Sequence, residues 1–352
     1  MKPVYFLLTT TLLILFTNCK EEKKEKVSGT LIAAGQMPNI STGNNGDLHL
    51  VYGNGDSILY SMSDNRGKTF STPSLIAILP NLAASHMRGP QIASTENGVT
   101  VIASNEPGDI FSYRKDEAGK WEKGARVNDA DTVAKEGLMA LAGDKTNLFA
   151  VWLDLRDGNN KIVGSGSVDG GKTWSKNNII YASPDASVCE CCKPSVAVKG
   201  NHVFVMFRNW LNGNRDMYLI ESTDAGKIYG EAKKLGLGNW ALNGCPMDGG
   251  AIVIDKNGNP ETVWNRKGRI YACEPGKEET ELGKGRSCTM ESVNDKNIYT
   301  WIENGEVIVV KPQGMKKNLG KGQLPIIKSI NNEHIICVWE NEKQILTAVV
   351  EL

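Results

Sequence analysis

From about residue 27 onward, apolar and polar positions alternate in short runs cut by Gly, Asn and Asp. A period of two turns one side of a segment inward and the other outward, the signature of half-buried strands, and helical spacing is scarce throughout. The runs fall into repeating units. Each opens on a short apolar strand, at residues 38–40, 90–92, 137–139, 194–196, 250–252, 288–290 and 325–327. A second strand ending near an aromatic residue follows in most units, at 48–52, 148–152, 203–207, 262–264, 298–301 and 335–339. A third strand, such as 58–62 or 217–221, runs into a polar turn, and a fourth leaves it. Unit starts lie at intervals close to the length of a four-stranded propeller blade.

The turn after the third strand carries its own signal. In Ser167-Val168-Asp169-Gly170-Gly171-Lys172-Thr173-Trp174, two glycines supply positive φ, Asp169 can fold back on turn N–H groups, and Trp174 anchors the next strand. Ser63-Asp64-Asn65-Arg66-Gly67-Lys68-Thr69-Phe70 and Ser222-Thr223-Asp224-Ala225-Gly226-Lys227-Ile228-Tyr229 repeat the order, and residues 116–121 are a worn copy. These stretches resemble the Asp-box of the sialidase-like β-propellers. The resemblance implies an all-β propeller of four-stranded blades, with Asp64, Asp169 and Asp224 in structural turns remote from any site. Seven starts predict seven blades. True sialidases have six, and units five and six are short and lack the box, so six remains the alternative. The last unit holds three strands, and residues 29–33 are the strand expected to complete it and close the ring.

The N-terminus reads as a targeting segment. Lys2 precedes an apolar run over 4–16, too short to span a bilayer as a helix, that ends at Thr17-Asn18-Cys19. This resembles a bacterial lipoprotein signal with Cys19 as the acylated residue, although Asn18 departs from the usual small residue. Ordinary secretory cleavage is the alternative. The run Lys20-Glu21-Glu22-Lys23-Lys24-Glu25-Lys26 is too polar to pack and reads as a tether. Its start resembles the surface-export signals of Bacteroidetes lipoproteins. The expected organisation is therefore a signal over 1–19, a tether over 20–28 and one propeller domain over 29–352. An outer-membrane or cell-surface location is expected, with the lipid anchor as the membrane contact.

Charge removes one class of partner. Lysines and arginines total 40, as do aspartates and glutamates, so no global field attracts nucleic acid. Candidate chemistry lies on one face. Strands alternate in direction, so the loops leading into each blade share a face with those joining second to third strands. The leading loops carry His86, Arg88, Glu136, Cys189, Cys191, Cys192, Lys193, Cys245, Asp248 and Arg286. The second-to-third loops carry Asp154, Arg156, Asp157, Arg208, Asn209, Trp210, Arg266, Glu303 and Glu340. Sialidases clamp a carboxylate with three arginines and use a Tyr nucleophile, outside the usual two-carboxylate scheme. Arg88-Gly89-Pro90 resembles their Arg-Ile-Pro motif. On that resemblance Arg208 and Arg266 are the other arginines, Asp154 or Asp157 the acid, and Glu291 with Tyr299 or Tyr271 the nucleophile pair. Arg156 completes the candidate rim for a glycan or small anionic ligand. The motif opens unit two rather than unit one, and no Tyr falls in a justified position, so the glycosidase set is incomplete.

The cysteines give the competing reading. Apart from Cys19 there are seven, and Cys189-Glu190-Cys191-Cys192 and Cys245 lie in the loops before units four and five. A propeller draws such loops together around its axis, so these thiols are expected to converge. Export favours disulfides, whereas crowded soft thiolates suit copper(I) or zinc(II), with Met247 or His86 as further ligands. The Cys-x-Cys-Cys and Gly-Cys-Pro pattern resembles a group of bacterial sialidase-like propellers and brings no particular activity with it. Cys337, in an apolar strand, reads as a core thiol. Two function classes follow: a binding propeller with its site on the cysteine-bearing face, metal-assisted or not, and a glycoside hydrolase using the Asp/Arg rim. The sequence leaves oligomeric state open.

Overall fold

The computed structural model describes Met1 and residues 29–352 apart from Glu117; the leader, Cys19 and the tether lie outside the described residues. Seven four-stranded antiparallel sheets are arranged as the blades of a ring, and no helix occurs among the described residues. The innermost strands are Gln36–Thr42, Gln91–Thr95, Met139–Asp144, Ser195–Lys199, Gly250–Ile254, Arg286–Val293 and Gln323–Ser329. Each begins within three residues of a unit start read from the sequence. They enclose a central channel of about 1110 Å³. The ring closes as the unassigned N-terminal run predicts: Thr30–Ala34 pairs antiparallel with Gln344–Glu351 and supplies the outer strand of blade seven. First and last segments are thereby locked in one sheet, and the edge that an open ring would expose is paired.

Seven hydrophobic clusters hold the ring together, one at each junction between neighbouring blades. The second strand of a blade inserts a large side chain into the blade before it. Trp152 of blade three packs with Ile102, Ile110 and Val127 of blade two. Trp264, Trp301 and Trp339 repeat this at the next-blade junctions four–five, five–six and six–seven. Phe207 fills the position between blades three and four, and Tyr52 the one between seven and one. All four tryptophans are at most 2% exposed, so each contributes about 5 kcal/mol of gross burial. The shortness of units five and six reflects tight turns rather than missing strands, and seven blades result.

The polar turns form as the pattern requires, with one correction. In blade three, Asp169 Oδ1 accepts from Thr173 N at 2.9 Å and Ser167 Oγ at 2.8 Å, and Ser167 Oγ accepts from Gly171 N. Asp224 does the same with Ile228 N and Ser222 Oγ in blade four. In blade one this position belongs to Asn65, not Asp64. Asn65 Oδ1 accepts from Thr69 N at 3.0 Å and from Ser63 Oγ at 2.9 Å, while Asp64 is exposed. The register is set by the Ser that starts the turn and the Gly four residues on, which places the folding-back side chain two residues after the Ser. Asp116, in the worn copy, accepts from Lys120 N at 2.7 Å.

Candidate functional site

The loop leading into blade four is stitched onto the neighbouring strand: Val188 bridges Asn209, and Cys189 N donates to Arg208 O at 3.1 Å. That anchoring turns three cysteine side chains into one pocket. Cys189, Cys191 and Cys192 have their sulfurs within 4.8 Å of one another and are all buried. Cys245, from the loop leading into blade five, is bonded to Cys191 across a Cα separation of 6.1 Å, inside the range a bridge needs. The four sulfurs therefore converge as blade geometry requires. One bridge forms and Cys189 and Cys192 stay free, their sulfurs 3.5 Å apart. His86 is not in this group, and Met247 is 37% exposed.

Two arginines back the free pair. Arg215, at the start of the third strand of blade four, donates from Nη1 to Cys189 Sγ at 3.0 Å and stacks over Trp210 at 4.6 Å. Arg208 is 2% exposed; it donates to Arg215 O at 2.9 Å and Asn265 O at 2.8 Å, tying blade four to blade five. The hydrogen bond shared with Cys192 and the two guanidiniums draw the Cys189 pKa down to about 6, against the cost of burial. Burial and the neighbouring Cys189 push Cys192 up, so the pair's remaining proton sits on Cys192. Arg215 was not legible as a site residue, because it lies 26 positions from Cys189 with no local motif.

The other leading-loop residues have separate roles. Asp248 is buried, and both its oxygens accept from Ser287 N, at 3.0 and 3.2 Å. Glu340 accepts likewise from Met37 N at 2.9 Å. Met37 and Ser287 have positive φ and sit where the inner-strand register slips, so these carboxylates hold the bulges that start blades one and six. Lys193 lines the channel mouth. Its ammonium donates to Gln91 Oε1 at 2.8 Å and has no carboxylate within 4 Å among the described residues. Enclosed by protein though open to the channel, it has its pKa lowered by burial to about 8. Cys288 is buried and its pKa is pushed up by desolvation.

The rim residues are not brought to one point. Arg88 faces Glu136 at 3.5 Å, Arg208 holds backbone carbonyls, and Arg266 pairs with Glu279 and stacks over Tyr271. Asp154 is buried and accepts from Trp152 Nε1 at 2.8 Å and from Arg156 Nε at 2.8 Å and Nη2 at 3.0 Å. Arg156 also reaches Asp129 and Asn177, while Asp157 pairs with Lys161. Glu291 faces Lys328 at 3.2 Å on the channel wall, which neither Tyr271 nor Tyr299 lines.

No family model matches this chain, and no curated protein matches it in sequence. Solved structures do resemble it. An α-L-arabinanase of Penicillium chrysogenum, solved with arabinobiose, superposes with a TM-score of 0.55 at 14% identity, over 92% of this chain and 97% of that one. An ulvan lyase bound to a glucuronate–rhamnose 3-sulfate unit gives 0.52 at 11% identity, over 93% and 95%. The sialidase of Trypanosoma rangeli gives 0.47 at 13% identity, over 81% and 56%. At these identities the likeness is one of fold: the chain is a β-propeller of the kind also found among glycoside hydrolases and lyases.

Proposed function

We propose that this chain is an exported, lipid-anchored binding propeller whose cysteine-bearing face holds a soft monovalent metal ion, copper(I), between Cys189 and Cys192. The observation that carries this reading is the pair of free, buried sulfurs 3.5 Å apart with Arg215 on one of them. Soft thiolates select copper(I) or zinc(II), and zinc in closed sites takes four ligands. With Cys191 and Cys245 tied to each other, two thiolates are on offer, which suits a two-coordinate ion. Charge agrees. Two thiolates and one copper(I) leave a net negative charge, which Arg215 and Arg208 offset. Cys19 would supply the anchor, the tether would lift the propeller off the membrane, and the metal face would be open to the cell exterior or the periplasm. Elemental analysis of protein purified without oxygen and dialysed against copper(I) tests this. About one copper per chain, lost in Cys192→Ser, is expected; copper uptake equal in both would refute it.

A second reading rests on the fold's relatives and on the channel. A space of about 1110 Å³ with an uncompensated lysine at its mouth is large enough for a sugar unit bearing a carboxylate or sulfate. It makes the chain a glycan-binding or glycoside-hydrolysing propeller. Turnover of fluorogenic arabinosides, uronides or sialosides that is lost with Lys193→Gln would favour it. No turnover and no glycan binding across that panel would remove it.

A further inference from the structure

The four cysteines are graded from the surface inward. Cys245 is exposed, its partner Cys191 is 9% exposed, Cys192 is 2% and Cys189 is wholly buried. Their sulfurs form a chain: the Cys245–Cys191 bond, then 3.7 Å to Cys189, then 3.5 Å to Cys192. The two free thiols also have the Cys-x-x-Cys separation that a reversible bridge can close. A two-coordinate metal site needs only the free thiols. It has no use for a disulfide that joins an exposed residue, Cys245, to a sulfur lying 3.7 Å from a buried thiol.

We propose that these cysteines form a disulfide relay, which reduces a disulfide of a partner polypeptide at Cys245 and stores the oxidised bond inside as Cys189–Cys192. First, the Cys189 thiolate attacks Cys191 Sγ. A Cys189–Cys191 bond forms, the Cys191–Cys245 bond breaks, and Cys245 leaves as a thiolate with the bonding pair. Next, Cys192 gives up its proton to solvent and attacks Cys189 Sγ, forming Cys189–Cys192 and releasing Cys191 as a thiolate. The exposed Cys245 thiolate then attacks the partner's disulfide; one partner sulfur leaves as a thiolate and the other is held on Cys245. Finally Cys191 attacks Cys245 Sγ, restores the original bridge and releases the second partner thiolate. In sum the partner gains two electrons, and Cys189 and Cys192 lose them. A partner dithiol runs the sequence backwards and resets the site. Arg215 Nη1 donates to the sulfur of the first nucleophile, Cys189 Sγ, at 3.0 Å.

This goes beyond copper binding and stands apart from it, since bound copper would occupy both buried nucleophiles. The relay is therefore tested on metal-free protein with the bridge intact. Glutathione disulfide is the probe, followed by an alkylating quench and fragmentation mass spectrometry of the cysteine peptides. Wild type is expected to release glutathione thiol and to acquire a Cys189–Cys192 bond beside Cys191–Cys245. Cys192→Ser should stall with Cys189 bonded to Cys191 and glutathione on Cys245. Cys189→Ser should keep the original bridge and take up no glutathione. If Cys189→Ser does not fold, Cys192→Ser carries the test alone. Finding Cys191–Cys245 as the sole bridge in wild type and Cys192→Ser, with no glutathione on Cys245, overturns the relay whether or not copper binds.

Discussion

Replacing Asp169 with alanine removes three hydrogen bonds from the turn of blade three: those from Thr173 N, Thr173 Oγ1 and Ser167 Oγ. Each is worth about 0.5–1.5 kcal/mol net, and because the turn is half-exposed water recovers part of the loss, leaving about 1–2 kcal/mol. Spread over the unfolding entropy of a domain this size, that lowers the thermal midpoint by about 1.5–3 °C. Blade one supplies an internal control. Asn65 makes the same contacts with an amide, donating from Nδ2 to Thr69 Oγ1 at 2.7 Å where Asp169 accepts from Thr173. Asp169→Asn should therefore stay within about 0.5 kcal/mol of wild type. Acid gives an independent check. Burial pushes the Asp169 pKa up, but the donors from Thr173, Ser167 and Lys172 outweigh it and hold it below the usual value. A depressed carboxylate stabilises fully above its unfolded pKa of about 3.9 and loses that contribution as the pH falls through its folded value. Calorimetry across that window should show wild type and Asp169→Ala converging in acid. An alanine variant with an unchanged midpoint, or an asparagine variant as weak as alanine, would refute the reasoning.

Three further outcomes follow from other parts of the molecule. Trp339→Ala empties the wedge between blades six and seven and should cost about 3–5 kcal/mol in denaturant unfolding; a cost below that of a surface substitution would contradict the wedge. In metal-free protein the depressed Cys189 pKa makes stability rise with pH from about 6 to about 8.5, because the unfolded chain still holds that proton. Cys189→Ser should flatten this rise, and an unaltered pH profile would show that the thiolate is not held. Cys19→Ala should move the protein from the membrane fraction to the soluble one; retention in the membrane would remove the lipid anchor from the account.

Most of the fold was legible because a strand's burial is written in alternation and a blade's length in the spacing of its units. Even the closing strand followed, since residues 29–33 had nowhere to pair but the incomplete last blade, where the strand forms as Thr30–Ala34. The Asp64 assignment failed for a local reason: Asp64 and Asn65 are both turn formers, and only the Ser63–Gly67 contact shows which one folds back. The site was legible in part. Sequential leading loops must meet at the axis, which brought Cys245 to Cys191 across 54 residues. Partners that cross blades without a motif were not legible. Arg215 on Cys189 is one case, and Asn177, which joins Arg156 to the blade-two loop, is another. Nor does a sequence tell a carboxylate aimed at substrate from one, like Asp248, that holds a backbone bulge.

X-ray absorption at the copper edge, on protein loaded with copper(I) in the absence of oxygen, tests the metal site most directly. Copper bound by two sulfurs alone in wild type, with the Cys191–Cys245 bridge still present by peptide mapping, is the predicted result. Copper bound through nitrogen or oxygen, or an unchanged spectrum in Cys189→Ser and Cys192→Ser, would contradict it.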